Sequence, residues 1–260
     1  MVGMGNWPGD GGSAAAAAAS DFLDRFELIC GPLESDRLEV YPMRQCQAAV
    51  ELLAVDAVGL SVILDERKRI PLGASSHDAE VAESLEFTLG QGPSLHAHAT
   101  NRPVLVGDVT DESALASAEW PTYVQELLQR TPFRAVFGFP LTSGGLSLGS
   151  VGMYRREPGQ LSISELGDAL ALTNRIFYDL LDTGTFSGAA HQRFQWLNMP
   201  LARVRGEVWQ AIGMATVEMG LNSADALARL RSYCYAENRL LDEVAADVIA
   251  RRLPLDQLQA

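Results

Sequence analysis

Cysteine is scarce. Three residues in 260, at 30, 46 and 234, are too few and too widely spaced for a disulfide framework or a metal-binding pattern. Their number predicts a reduced, cytoplasmic protein. No Lys or Arg precedes Arg25, so the N-terminal stretch lacks the basic start of a secretory signal. Membrane spans are missing too. The Ala14–Ala19 run is too short, and the longest uncharged stretch, Ala135–Tyr154, is interrupted by Pro140 and Gly144–Gly145. Those breakers predict two strands around a turn, and no membrane partner is expected.

The residues that would carry catalysis are also absent. The glycines of Gly149–Tyr154 are not followed by the Lys-Ser/Thr of a phosphate-binding loop. Ser61, Ser75 and Ser94 have no His–Asp partnership in the sequence, so a nucleophilic triad has no support. His96 and His98 stand two apart, which on a helix turns them away from each other. No Cys or carboxylate nearby completes a ligand set, so both read as ordinary surface histidines, and no metal, cofactor or catalytic residue is expected.

The net charge of −13 argues against nonspecific binding to nucleic acid or anionic membrane. It is unevenly spread. Residues 201–260 hold seven Arg and no Lys against eight Asp and Glu, a net of −1, which leaves −12 for residues 1–200. An acidic front and a near-neutral, Arg-only tail suit a sensor joined to a selective binder, and suit a bland acidic protein almost as well.

The last sixty residues organise the chain. Val204, Val208, Ala211, Ala215 and Met219 form an apolar stripe at helical spacing, ended by Gly220. Ser223 is the expected N-cap of a second helix carrying Ala226, Leu227, Leu230 and Cys234, with Asn238 closing it in the left-handed conformation. Asp242 and Glu243 open a third helix, with Val244, Ala245, Val248 and Ile249 on its apolar face. Gly213 in mid-helix costs about 0.8–1 kcal/mol relative to Ala, which predicts close approach of a crossing helix there.

With Ala211-Ile-Gly213 and the run from Ala224 to Ile249, this tail resembles the ANTAR domain, a three-helix module that binds RNA hairpins and prevents transcription termination. The resemblance covers about Leu201–Arg252. It implies a core at Ala211, Gly213, Ala226, Cys234 and Ala245, with Cys234 filling a site where family members commonly have Ala. Ile212 stands where many members place Lys. The candidate RNA-binding residues are Arg203, Arg205, Arg231, Tyr233, Tyr235, Asn238 and Arg239. Such groups read exposed loop bases by stacking and by hydrogen bonds to base edges. The plainer alternative is a solvated helix face with Tyr233 or Tyr235 packed inside.

Upstream, residues 1–20 are Gly- and Ala-rich and read as disordered. Helices are predicted from Ser20 and from Pro42. Ala57–Leu64 and Ile70–Ser75 follow as strands, then a helix over His77–Leu85 and another from Ser94. Pro103–Val106 is a short strand and Trp120–Arg130 a helix. Phe133–Leu141 and Leu146–Arg155 form the hairpin. Ser164 is the expected cap of a long helix, Glu165–Asp182, whose stripe of Leu166, Ala169, Leu170, Thr173, Phe177 and Leu180 marks it as a dimer element. Helices first and last around about five strands give an α+β class built on an antiparallel sheet.

The runs Ala54–Leu64, Ser84–Val109 with its Gly90-Gln-Gly-Pro93 turn, and the Leu148-Gly-Ser-Val-Gly152 hairpin resemble a GAF domain, over about Phe22–Leu181. GAF domains are usually small-molecule sensors or dimerisation modules. Phe87, Leu95, Trp120, Tyr123, Phe137 and Phe139 are the candidate lining of a pocket for an unidentified small molecule; filling the core is the alternative. No Cys lies between Cys46 and Cys234, which argues against a covalent chromophore and against the cysteine chemistry of GAF-fold reductases.

The expected organisation is a disordered stretch over 1–20, a GAF-like domain over 21–183, a linker over 184–198, an ANTAR-like domain over 199–253 and a tail over 254–260. The expected function is a homodimeric transcription antitermination regulator that binds paired RNA hairpin loops under sensor control. The alternative is a GAF-centred small-molecule or protein-interaction module whose helical tail does not bind RNA, a reading favoured by Ile212 and by the missing Lys.

Overall fold

The computed structural model describes residues 11–32, 39–65, 68–111, 118–182 and 199–259. The expected linker, with His191, Phe194 and Trp196, lies outside them, as do residues 1–10.

A five-stranded antiparallel sheet is the frame. Its strands are β1 (Ala57–Asp65), β2 (Lys68–Ala74), β3 (Val104–Val106), β4 (Ala135–Ser143) and β5 (Leu146–Arg155), in the order β2-β1-β5-β4-β3. Gly144 and Gly145, both at positive φ, turn β4 into β5. One face is covered by α1 (Gly11–Cys30), α2 (Tyr41–Leu52) and α6 (Ile163–Asp182). Phe22, Phe26, Cys46, Phe137, Phe139, Val151, Leu172 and Phe177 fill that layer. The other face carries α3 (His77–Leu89), α4 (Pro93–Thr100) and α5 (Pro121–Arg130).

Several expectations are corrected. Residues 11–20, expected to be disordered, are the first half of α1. An alanine run has the best helix propensity, and it extends the amphipathic segment that buries Phe22 and Phe26. The long helix is capped by Ser162, whose hydroxyl accepts from Glu165 N, rather than by Ser164. Its stripe is turned onto its own sheet: Ala169, Leu172, Ile176, Phe177 and Leu180 join the core, while Leu170 is exposed. The dimer assignment therefore loses the feature that suggested it.

In the tail, α7 (Pro200–Met219), α8 (Ser223–Ala236) and α9 (Leu241–Ile249) pack around Val208, Ala211, Ala226, Leu230, Cys234, Val244 and Ala245. Asn222, not Ser223, is the N-cap of α8; its side chain accepts from Asp225 N. Asn238 is left-handed, at φ 52°. Gly213 lies outside the core: it is exposed, and a Cβ there would meet nothing within 4 Å. Ile212 is buried beside it, so the crossing helix meets the isoleucine rather than the glycine. Within the expected tail, Leu255 and Leu258 are buried against the bundle.

Candidate sensor site and its seam with the tail

Strand alternation builds a floor of small residues. Along β1, Val58, Leu60 and Val62 point to the α1/α2/α6 side, so Gly59 and Ser61 face α3. By the same parity Gly138 on β4, and Ser150 and Gly152 on β5, face that way. Register places Gly59 opposite Gly152, Gly152 opposite Gly138, and Ser61 opposite Ser150. Directly opposed residues share a face, so these five side-chain positions are contiguous across three strands.

The floor makes room for charge. Arg69, on β2, is 1% exposed and reaches both Glu83 and Glu86 of α3, each at 2.5 Å. Ser61 Oγ donates to Glu83 Oε2, and Tyr154 OH to Glu83 Oε1 at 3.3 Å. Ser94 N, in the first turn of α4, donates to Glu86 Oε1 at 3.0 Å. Three glycines are spacers for this cluster. A Cβ at Gly59 would lie 2.6 Å from Glu83 Cγ, one at Gly92 2.5 Å from Glu86 Cγ, and one at Gly152 2.6 Å from Tyr154 OH.

One cation faces two carboxylates in a dry setting. Burial alone would lower Arg69's pKa, but Glu83 and Glu86 outweigh it and hold the guanidinium firmly charged. Burial raises Glu86 above the ordinary carboxyl value, and Glu83 adds to that, against the pull of Arg69. Burial also pushes Tyr123 and Tyr154 up, so both phenols stay protonated. Arg69 Nε, Ser94 Oγ, Tyr123 OH and Ser150 Oγ are buried with no bonded partner. The centre thus offers donors, hydroxyls and a proton-accepting carboxylate, the equipment for recognising a small polar molecule. Among the described residues no cluster of His, Cys, Asp and Glu could hold a metal.

The six expected pocket residues do not surround this centre together. Trp120 and Tyr123 pack on the α3/α5 side, and Leu95 is half-buried on α4. Phe137 and Phe139 lie on the opposite face of the sheet, because they flank Gly138, the residue that faces the site. Phe87 packs with the tail. Ser61, Arg69, Glu83 and Glu86 were not among the expected residues, because a search for aromatics does not find them. The available signal was Gly-x-Ser in β1 matched by Ser-x-Gly in β5, small residues at period two within otherwise bulky strands. His96 and His98 have separate partners: the His96 and Trp120 rings pack in a T-shape with centroids 5.3 Å apart, and His98 Nδ1 lies 3.0 Å from Ser147 Oγ.

On its far side α3 meets the tail. Arg231 Nη2 donates to Phe87 O at 2.7 Å, and a Cβ at Gly90 would lie 2.8 Å from Arg231 Nη1. Arg205 is 2% exposed, its guanidinium carbon 3.8 Å from the Phe87 ring centroid. Ser84 Oγ donates to Asp242 at 2.7 Å, and Leu241 N to Thr88 Oγ at 3.0 Å. Arg130 of α5 donates to Asn238 O at 2.6 Å and to its side-chain oxygen. Arg239 pairs with Asp247 at 2.6 Å within the tail. Of the seven RNA candidates, Arg205, Arg231 and Asn238 are engaged by this seam. Tyr233 is half-buried, while Arg203 and Tyr235 are exposed.

A sheet of this order, with one face cored by helices and the other holding a buried polar centre, defines an α+β domain. The GAF domain family matches residues 44–174, just over half of the chain, and the chain belongs to it. Its fold is GAF-like, with a helical C-terminal region outside the matched residues. Similar solved structures include the GAF domain of a phosphoenolpyruvate-protein phosphotransferase from Coxiella burnetii, 15% identical, covering 66% of this chain and 99% of that one at a TM-score of 0.49. The phycocyanobilin-bound GAF domain of a cyanobacterial phytochrome is 12% identical, with 67% and 98% covered, at 0.46. Free methionine-R-sulfoxide reductase from Neisseria meningitidis, in complex with its substrate, is 14% identical, with 70% and 99% covered, at 0.42. No curated protein matches the chain. Among the described residues no helix is long and apolar enough to cross a membrane.

Proposed function

We propose that this GAF-domain protein is a cytoplasmic, signal-responsive RNA-binding regulator. Its tail, over 199–253, acts as an ANTAR-like module that grips paired hairpin loops as a homodimer and favours an antiterminator. The domain over 21–183 senses the signal, and no covalent chemistry is involved.

The observation that carries this reading is the position of α3. One side of the helix presents Glu83 and Glu86 to the buried centre, and the other presents Ser84, Phe87 and Thr88 to the tail. A ligand that rearranges the centre therefore acts on the helix that holds Arg231. Ligand binding shifts the population toward a released tail only by its differential affinity for that state.

The test is a gel-shift titration of the full chain with a paired-hairpin RNA at several salt concentrations. Each neutralised phosphate contributes a slope of about −0.7 in log K against log salt, and R231A/R239A lowers the slope by roughly one to two units. No binding at low salt, with a dimer confirmed by light scattering, would falsify the RNA reading. A second reading then leads: a small-molecule or protein-interaction module with a non-RNA-binding tail. The observation favouring it is that Arg231, Asn238 and Arg239 already have partners within the chain, and that Arg205 is buried.

A further inference from the structure

A cleft of about 230 Å³ opens where β2 and α3 meet α7 and α9. It borders the buried centre, with which it shares Glu83, and opens on the side of α3 that meets the tail. At about 30 Å³ per water it holds roughly eight waters, so it suits a molecule with about that many non-hydrogen atoms. Most of its wall is apolar, with Ala74, Val81, Leu201, Val204 and Leu240 prominent.

The polar groups at its floor are incompletely used. Arg205 is a buried cation whose Nε and Nη1 both lack bonded acceptors. Asp242 Oδ1 lies 3.2 Å from Nη1, out of line for a hydrogen bond, and it too lacks a bonded donor. The Phe87 ring covers Arg205 from behind and accepts no conventional hydrogen bond. Burial pulls the Arg205 pKa down to about 10, with Asp242 opposing. Buried charges are ordinarily bonded, so an orphan donor pair and an orphan acceptor side by side mark unfilled recognition capacity. Glu80 and Glu243 add negative charge around the cleft, as does Glu83, which is paired with Arg69 behind it. A plain carboxylate would meet Arg205 but be repelled by these groups. A plain amine would meet them but leave Arg205 unsatisfied.

We propose that this cleft binds a small zwitterion with an aliphatic body, of the α-amino-acid class. Its carboxylate bonds Arg205, its ammonium faces Asp242 and Glu243, and its side chain lies against Val81, Leu201, Val204 and Leu240. The site stands independently of RNA binding, because it is defined by the seam and not by the exposed face of the tail.

The experiment is thermal shift and calorimetry on the full chain with L-leucine and L-valine, each at up to about 10 mM, a range bounded by weak millimolar affinity. The two half-molecules, 4-methylpentanoate and 3-methylbutan-1-amine, are the comparators. One amino acid is expected to raise Tm, and each half-molecule to bind at least about tenfold more weakly, since a charge-assisted bond is lost. Val204→Trp fills the cleft from its exposed edge, and Arg205→Met removes the anion-binding group. Each is expected to weaken binding at least about tenfold while the ligand-free protein still melts cooperatively. Val204→Trp keeps the test open should Arg205→Met fold poorly. No Tm rise with either amino acid overturns the proposal. Equal binding of a half-molecule, or binding unaffected by Val204→Trp, overturns it as well.

Discussion

The interior of the sensor and its seam with the tail each bury an arginine, on opposite terms. Arg69 sits at 1% exposure with two carboxylates at 2.5 Å. Arg205 sits at 2% exposure with one misaligned carboxylate at 3.2 Å and an aromatic ring. Burial works against both cations. At Arg69 the carboxylates prevail and its pKa rises; at Arg205 burial prevails and its pKa falls. A cation bonded to two carboxylates is part of the fold, whereas one with no bonded carboxylate is open to a further partner. The largest expected effect follows from the former. Arg69→Met strands Glu83 and Glu86 and is expected to cost about 3–5 kcal/mol, measured by denaturant unfolding. Adding Glu83→Gln and Glu86→Gln should recover much of that loss. A cost below about 1 kcal/mol would mean the cluster is not a coupled charge centre.

The next comparison sets two glycines against each other. Gly152 is on the floor beneath the charged cluster, and Gly213 is on the exposed side of α7. Gly152→Ala places a methyl 2.6 Å from Tyr154 OH and 3.0 Å from Ser94 Oγ. Crowding of that kind is expected to cost about 1–3 kcal/mol. Gly213→Ala meets open space and is expected to gain about 0.8–1 kcal/mol from helix propensity alone. Parallel melts of the two variants decide it. If both destabilise alike, α7 is packed more tightly around Gly213 than the structure has it.

These glycines also show what was legible in the sequence. The α+β class, the hairpin over Ala135–Arg155 and the three tail helices follow from periodicity and breakers, which are local signals. Gly213 was misread because propensity records the cost of a glycine but not its surroundings. The buried centre was missed because its members come from β1, β2, α3 and β5, and no window of sequence brings them together. Phe137 and Phe139 were drawn to the site by chemical type, although strand parity sends them to the opposite face. Arg205 and Arg231 are RNA candidates through the resemblance of the tail to ANTAR domains. Their burial depends on how α3 docks, a long-range fact.

A smaller effect tests the protonation of the sensor centre. Burial raises the Glu86 pKa above 4.5 in the folded chain, with Arg69 and Glu83 as its charged neighbours. The folded state therefore holds this proton more tightly than the unfolded state does. Its contribution is fully present below the unfolded pKa and is lost as pH rises through the folded value. Each pKa unit of difference is worth about 1.4 kcal/mol. Glu86→Gln removes the titration. Its Tm relative to wild type should climb between pH 4.5 and 8, and a constant difference would assign the pH dependence to other groups.

The smallest expected effect returns to Arg205. Arg205→Met keeps the length of the side chain and its packing on Phe87 while removing a cation that burial disfavours. Asp242 is left without its cation, but it still accepts from Ser84. Replacing a poorly compensated buried charge by an apolar side chain of similar volume is often neutral, so unfolding free energy should move by less than about 1 kcal/mol. A loss as large as that of Arg69→Met would erase the difference between the two arginines and make Arg205 a structural charge. A near-neutral melt shows that the fold does not depend on a cation in this seam.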